Sequence, residues 1–329
     1  MDDPRSATRS AATAVRRGRW IWVVSAVATA AAVIAMAATA IHVRKVVHFG
    51  VSIGGKAPWT STYTKTVTVR QPATTIDVHD YGGPVMVSAG AQGGIQVTEI
   101  MSYDKSRPPV QQSVANGQLT LADPACNGGP CSVAFHVMVP AGTSARLESD
   151  GGPIMVAGLT ARVDADSGGG PLTARGVSAP LTARSGGGAI TITGPAGPVD
   201  ADSGGGPLIA RSVSGGLTAE TGGGGLNVVN ESGPLAADTG GGPADATGIA
   251  GTDVTVSTAG GGATLALIAV PHRVQADSGG GPLTLQVPGG SYAVSADSGG
   301  GPQDIGIATD PASPDKISLS SGGGGISVR

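Results

Sequence analysis

Aromatic residues make up only 3% of this 329-residue chain. That shortage excludes the usual globular core, where rings supply much of the buried area. It also argues against a nucleic-acid partner, which wants a basic stripe with stacking rings: after Phe135 the only Phe, Trp or Tyr is Tyr292. The net charge is -3. Arg5, Arg9, Arg16, Arg17 and Arg19 stand against Asp2 and Asp3 in the first nineteen residues, so everything after them is mildly acidic.

Histidine is equally sparse. The five residues His42, His48, His79, His136 and His272 are scattered, and no Ser–His or Cys–His nucleophile can be argued from them. There are two cysteines, Cys126 and Cys131, in the stretch CNGGPC. As a disulfide they would close a short Gly-Pro loop in an oxidising compartment. Two free thiols or a metal pair are the alternatives, although two sulfurs without nearby histidines make a poor zinc site.

What the chain has instead is glycine and proline, 56 and 23 residues. In a helix interior each glycine costs about 1 kcal/mol and each proline about 3, which excludes helix for most of the sequence. Hydrophobic content still reaches 40%, mainly as Ala, Val, Leu and Ile. Such residues can bury surface only around a thin interior.

The phrase DADSGGGPLTARG (164–176) returns in variant form along the chain. Its first corner position falls at Glu148, Asp166, Arg184, Asp202, Glu220 and Asp238, always 18 residues apart, then at Thr258, Asp277, Asp297 and Ser320 with looser spacing. A fixed period of this length marks a solenoid, whose repeats bury their apolar faces only by stacking. Within one period Val163, Ala165, Leu172 and Ala174 alternate with polar residues around a GGGP corner, the pattern of strand, corner and strand. The same alternation places Leu181, Ala183, Val199, Ala201, Leu208, Ala210, Leu217, Ala219, Leu226 and Val228 inside. The fold expected is all-β, a two-sheet parallel β-solenoid of about 18-residue coils.

In this reading Asp166, Asp202, Asp238, Asp277 and Asp297, with the serine after each or its neighbours, cap the turn's free amides. Gly168, Gly169 and Gly170 supply positive φ and avoid a stacking clash at the corner. The acidic column could also offer oxygens to calcium. Arg184, Glu220 and Thr258 interrupt it, however, and the aspartate precedes the glycines where the calcium-binding repeat has it after them. Asp164/Asp166 and Asp200/Asp202 have the roughly 7 Å spacing of paired glycosidase carboxylates. No aromatic platform accompanies them, and Arg162, Arg175, Arg184 and Arg211 are placed to offset their charge. No catalytic residue, metal or cofactor is called for.

Residues 20–43 form an uncharged apolar run apart from His42, long enough at about 1.5 Å per residue to cross a hydrocarbon layer. A span and a signal peptide both fit, and the length favours an uncleaved anchor. Arg16, Arg17 and Arg19 then keep residues 1–19 in the cytoplasm and place the rest outside. Residues 44–60 read as a linker, 61–145 as a β-rich portion of irregular coils, and 146–329 as the regular Gly-rich solenoid.

Strands separated by DSGGGPL-type phrases behind a single N-terminal span resemble the DUF4097 family of bacterial envelope proteins with β-strand repeats. The resemblance covers roughly residues 60–329, and the Ala/Gly bias is similar to actinobacterial members. It implies an envelope-facing repeat protein with an inferred adhesion role, some members being associated with envelope-stress systems, and it supplies no catalytic residues.

The function expected is therefore non-enzymatic: a membrane-anchored adhesin or envelope-interaction surface, with a sensor or scaffold of a membrane stress-response complex as the alternative. The partner would be an envelope polymer or protein met by the outward Thr/Arg faces, among them Thr173, Arg175, Thr182, Arg184, Thr191 and Thr218. A specific contact is better placed on the aromatic-bearing N-terminal portion, at Trp59, Tyr63, Tyr81 and Tyr103. The closing phrase SSGGGGISVR has no capping helix, which suggests a free edge and end-to-end self-association.

Overall fold

The computed structural model describes residues 59–123 and 130–329. The expected tail, the span and linker residues 44–58 lie outside the described residues, as does Cys126. Among the described residues there are strands and no helix, so none is long and apolar enough to cross a membrane.

The strands, in chain order, are β1 (Ser61–Val69), β2 (Thr75–Asp80), β3 (Val85–Ala89), β4 (Ile95–Tyr103), β5 (Gln111–Ala115), β6 (Gln118–Ala122), β7 (Cys131–Val139), β8 (Ser144–Ser149) and β9 (Ile154–Ala157). The regular coils follow as β10 (Val163–Ser167), β11 (Leu172–Arg175), β12 (Leu181–Ser185), β13 (Ile190–Thr193), β14 (Val199–Ser203), β15 (Leu208–Val213), β16 (Leu217–Thr221), β17 (Leu226–Glu231), β18 (Leu235–Thr239) and β19 (Ala244–Ile249). The remainder are β20 (Asp253–Thr258), β21 (Ala263–Leu267), β22 (Arg273–Ser278), β23 (Leu283–Gln286), β24 (Ser291–Asp297), β25 (Gln303–Ile305), β26 (Ala308–Thr309), β27 (Lys316–Ser321) and β28 (Ile326–Val328).

They form two 14-stranded sheets. From β8 to β23 the even strands stack in one sheet and the odd strands in the other, each parallel to its equivalent one coil away. The alternation dictates which side chains go in. Val163, Ala165, Leu172 and Ala174 are buried, and so are their partners Leu181, Ala183, Ile190 and Ile192. From β8 to β23 each strand contributes at least two such aliphatic side chains, drawn from Val, Leu, Ile and Ala. The two sheets thus enclose the thin interior that the composition requires.

The register corrects one position of the sequence alignment. Asp238 pairs with Ser257, whereas Thr258 pairs with Thr239. An extra residue before β20 shifts the phrase by one, and the outward position of that coil belongs to Ser257.

The three corner glycines also divide their work differently from expectation. None of Gly168, Gly169 and Gly170 has positive φ. A Cβ on Gly168 would come within 2.2 Å of the Asp150 carbonyl oxygen, and one on Gly170 within 2.2 Å of that of Gly152, while one on Gly169 would meet nothing within 4 Å. Close stacking therefore falls on the first and third glycines of this corner and not on the second, although Asp150 and Ala259 take the first place of their own coils. In the regular coils positive φ belongs to the second corner, in the column Gly158, Gly176, Gly194, Ser212, Asn230 and Gly248; at the GGGP corner it is found in the last coil, at Gly299 and Gly300.

Both ends of the ladder depart from chain order. At the N-terminal end the first coil, β2–β3, is covered by β6 and β7 on one side and continued by β8 and β9 on the other. Antiparallel strands then extend it, β4 and β1 beyond β7 and β5 beyond β6. The portion 61–145 is therefore a mixed rather than purely parallel stack.

At the other end β27 pairs with both β22 and β24, and β28 with both β23 and β25. The closing phrase SSGGGGISVR is hydrogen-bonded on both sides. The free edges are those of β24, β25 and β26, so the edge expected at the final strand lies one coil earlier in the sequence.

Candidate functional site

An inward polar column runs along the glycine corner through Ser149, Ser167, Ser185, Ser203, Thr221, Thr239, Thr258, Ser278 and Ser321, all buried. Ser167 Oγ accepts the amide of Gly170 at 2.9 Å and donates to the Gly152 carbonyl at 3.1 Å. Ser185 repeats this with Gly188 and Gly170. Thr239 donates to the Gly242 carbonyl at 2.6 Å. These hydroxyls satisfy groups that stacking hides from water.

The turn-capping role read for the aspartates thus belongs to the next residue. Asp166, Asp202, Asp238 and Asp277 stand exposed on the outer face, and Asp297 alone of the five has a corner amide, that of Gly299 at 3.0 Å. The outer column runs Glu148, Asp166, Arg184, Asp202, Glu220, Asp238. Arg162 pairs with Asp164 at 2.9 Å, and Arg184 with Asp200 at 3.3 Å. The side-chain hydrogen bond from Arg162 holds the Asp164 carboxyl below its ordinary range. Among the described residues no group of three or more His, Cys, Asp or Glu is arranged to hold a metal ion.

At the N-terminal end the hydroxyl column ends in carboxyls. Asp80 stands in register with Ser149, and both it and Asp123 are buried. One Asp80 oxygen accepts the amides of Gly82 and Gly83, while its other oxygen and one of Asp123 have no hydrogen-bond partner. Burial pushes Asp80 up to about 6 and Asp123 up to about 7, each helped by a neighbouring aspartate, Asp150 and Asp80 respectively.

His79, scattered from the other histidines in the sequence, is not isolated in the fold. Its imidazole lies 3.0 Å from Asp77 and 2.8 Å from Glu148, and Glu148 also bonds Arg146. The signal was present in HDYGGPVMV. Aligning that corner on the repeat puts His79 beside Glu148, the position the register confirms.

The aromatic residues collect at the same end. β1 and β4 pair so that Tyr63 faces Met101, and Thr60, next to Trp59, donates its amide to the Tyr103 carbonyl. Tyr63 and Tyr81 are exposed, whereas Trp59 and Tyr103 are half-buried. Arg107 stacks over the Tyr63 ring at 4.7 Å from its centroid. Tyr81 stands at the corner after β2, where Gly83 packs against the carbonyl of Val133 in β7. Cys131 begins β7 opposite Tyr103 and is not a free thiol.

The fold defines the class of protein, a two-sheet β-solenoid with a mixed β cap. No family model matches the chain, and no curated protein does. Solved structures that match include an inferred adhesin of Bacteroides fragilis, at 14% identity and a TM-score of 0.38, covering 84% of this chain and 100% of that one. Another, from Parabacteroides merdae, matches at 12% identity and a TM-score of 0.34, covering 82% and 96%. An inferred cell adhesion protein of Clostridium sporogenes matches at 10% identity and a TM-score of 0.24, covering 82% and 99%.

Proposed function

We propose that the chain is a non-enzymatic interaction protein of the bacterial envelope, an adhesin in the broad sense, and that its N-terminal end makes the contact. One observation carries the reading: Trp59, Tyr63, Tyr103 and the Arg107 guanidinium lie together on the edge strand pair β1–β4 and the segments flanking it, in an otherwise ring-poor ladder. Aromatic and arginine side chains anchor interfaces because they bury much area at little entropic cost. The long outer faces, in contrast, carry threonines and exposed charges of both signs, among them Arg162 with Asp164 and Arg184 with Asp200, that water already solvates. An anchor over residues 20–43 and a Cys126–Cys131 disulfide belong to the same proposal, since both suit an extracytoplasmic ladder.

The test is binding of the full-length protein to an isolated cell-envelope fraction and to a glycan array. Tyr63→Ala and Arg107→Ala are expected to weaken binding at least about tenfold, as hot-spot truncations do. Asp202→Ala and Asp238→Ala on the outer face should leave it unchanged. Equal loss in both pairs would overturn the assignment.

A further inference from the structure

We infer that the partner this end fits is the opposite end of a second copy of the same chain, so that ladders stack head to tail. The inference rests on the reading of the N-terminal end as the contact surface and adds the identity of what it contacts.

The first observation is that each end is an unfinished rung. At the C-terminal end Val294, Ala296 and Ile305 occupy inward positions but are only half-buried. Their register partners one strand inward, Ile317, Leu319 and Val328, are fully covered. A groove of about 660 Å³ opens there, lined by Val294, Ala296, Ile305 and Ile317 among others. At the N-terminal end Val67 and Val114 are half-buried above the covered Val97 and Leu119. A further rung would complete the burial at either end.

The second observation is the backbone. β1 and β5 are the edge strands at one end, and β25 and β26 at the other, with β24 paired outward only at Ser291 and Tyr292. Each edge presents unpaired amides and carbonyls to the next chain.

The third observation selects the occupant. The C-terminal rung and its return loop, residues 291–315, carry Asp297, Asp304, Asp310 and Asp315 and no basic residue; Lys316 follows and Arg329 lies 3.8 Å from Asp304, which leaves the tip acidic on balance. The N-terminal edge segments, 59–73 and 91–117, carry Lys65, Arg70, Lys105 and Arg107 against Glu99 and Asp104. Like ends repel and unlike ends attract, which disfavours two C-terminal tips meeting each other. A head-to-tail contact is heterologous, so it continues as an open filament rather than closing as a dimer.

The experiment uses the full-length protein in detergent micelles, followed by sedimentation from about 1 to about 100 µM, where a modest interface becomes visible. Mass is expected to grow with concentration without a plateau at two copies, and to fall as salt is raised. Two charge-reversal variants lie at exposed residues outside the buried core: K105E/R107E at one end, which gives up the Arg107 stack on Tyr63, and D297K/D304K at the other, which gives up the Asp297 bond to the Gly299 amide. Each alone is expected to stay monomeric, with association weakened at least about tenfold, and an equal mixture to recover pairing between the two reversed ends.

Assembly of K105E/R107E on its own would show tips meeting tips and overturn the proposal. So would a monomeric wild type, or a mixture that fails to pair. If the wild type is monomeric while Tyr63→Ala still abolishes envelope binding, head-to-tail stacking falls and the contact surface stands. If self-association occurs but Tyr63→Ala changes neither readout, the aromatic reading falls.

Discussion

The α-carbon of Gly170 rests against the carbonyl oxygen of Gly152, the equivalent corner one coil earlier, with no room for a methyl group between them. Gly170→Ala is therefore expected to cost about 2–4 kcal/mol, because backbone rather than a flexible side chain must move. Gly169→Ala, one residue away, points into open space and has an ordinary φ. It should change stability by no more than about 1 kcal/mol, in the stabilising direction through the unfolded chain. Urea midpoints of the two variants check the contrast, and equal losses would mean that the corner is limited by something other than stacking.

Removing the hydroxyl of Ser167 leaves the Gly170 amide and the Gly152 carbonyl without that partner inside the ladder. Ser167→Ala should lose about 1–3 kcal/mol. Asp166→Ala, at the exposed neighbouring position, should lose little. Thermal melts of the pair decide whether serine or aspartate holds the corner.

Ser212 occupies the left-handed column that glycine fills at 158, 176 and 194, with φ of 55°. Ser212→Gly removes the Cβ strain at the price of a looser unfolded chain, for a net gain of a few tenths to about 1 kcal/mol. The same change at Ser203, buried in the hydroxyl column, should destabilise. Differential melting of the two variants tests the assignment.

Glu231 is buried in register with Val213, one oxygen accepting the Gly233 amide and the other unpartnered. Burial raises its carboxyl from near 4.5 to about 7. The unfolded chain ionises first, so the stability linked to this group is whole below about 4.5 and is lost as pH rises through about 7. Asp80 and Asp123 act in the same direction. Glu231→Val should therefore stabilise the protein more at pH 8 than at pH 4, and Glu231→Gln should flatten the wild-type decline. Urea titrations across that range give the answer, and parallel curves for wild type and Glu231→Gln would refute it.

Much of the fold is legible in residue order because a strand's side chains alternate with a period of two and the coil repeats with a period of 18. Val199, Ala201, Leu208 and Ala210 could be placed inside without coordinates, and they are buried. The N-terminal cluster was only half legible. Trp59, Tyr63 and Tyr103 are visible as ring-bearing residues, but the Arg107 stack on Tyr63 depends on a loop that no periodicity describes. His79 and Glu148, by contrast, meet across 69 positions of sequence in the regular β2–β8 register, which aligning HDYGGPVMV on the repeat makes legible.

Sequence alone determined that residues 61–329 are a ladder of short strands with small aliphatic filler, since local alternation and glycine spacing there leave a helix or a ring-filled core no means to form. Tertiary structure decided the order of the rungs at the two ends, which corner glycines bear the stacking, and which residues face an open edge. Those outcomes rest on hydrogen bonds and contacts between coils, and equivalent repeats look alike to any local rule. Asp297 and Ser320 show the point: nothing in either phrase says that the later one lies nearer the centre of the stack.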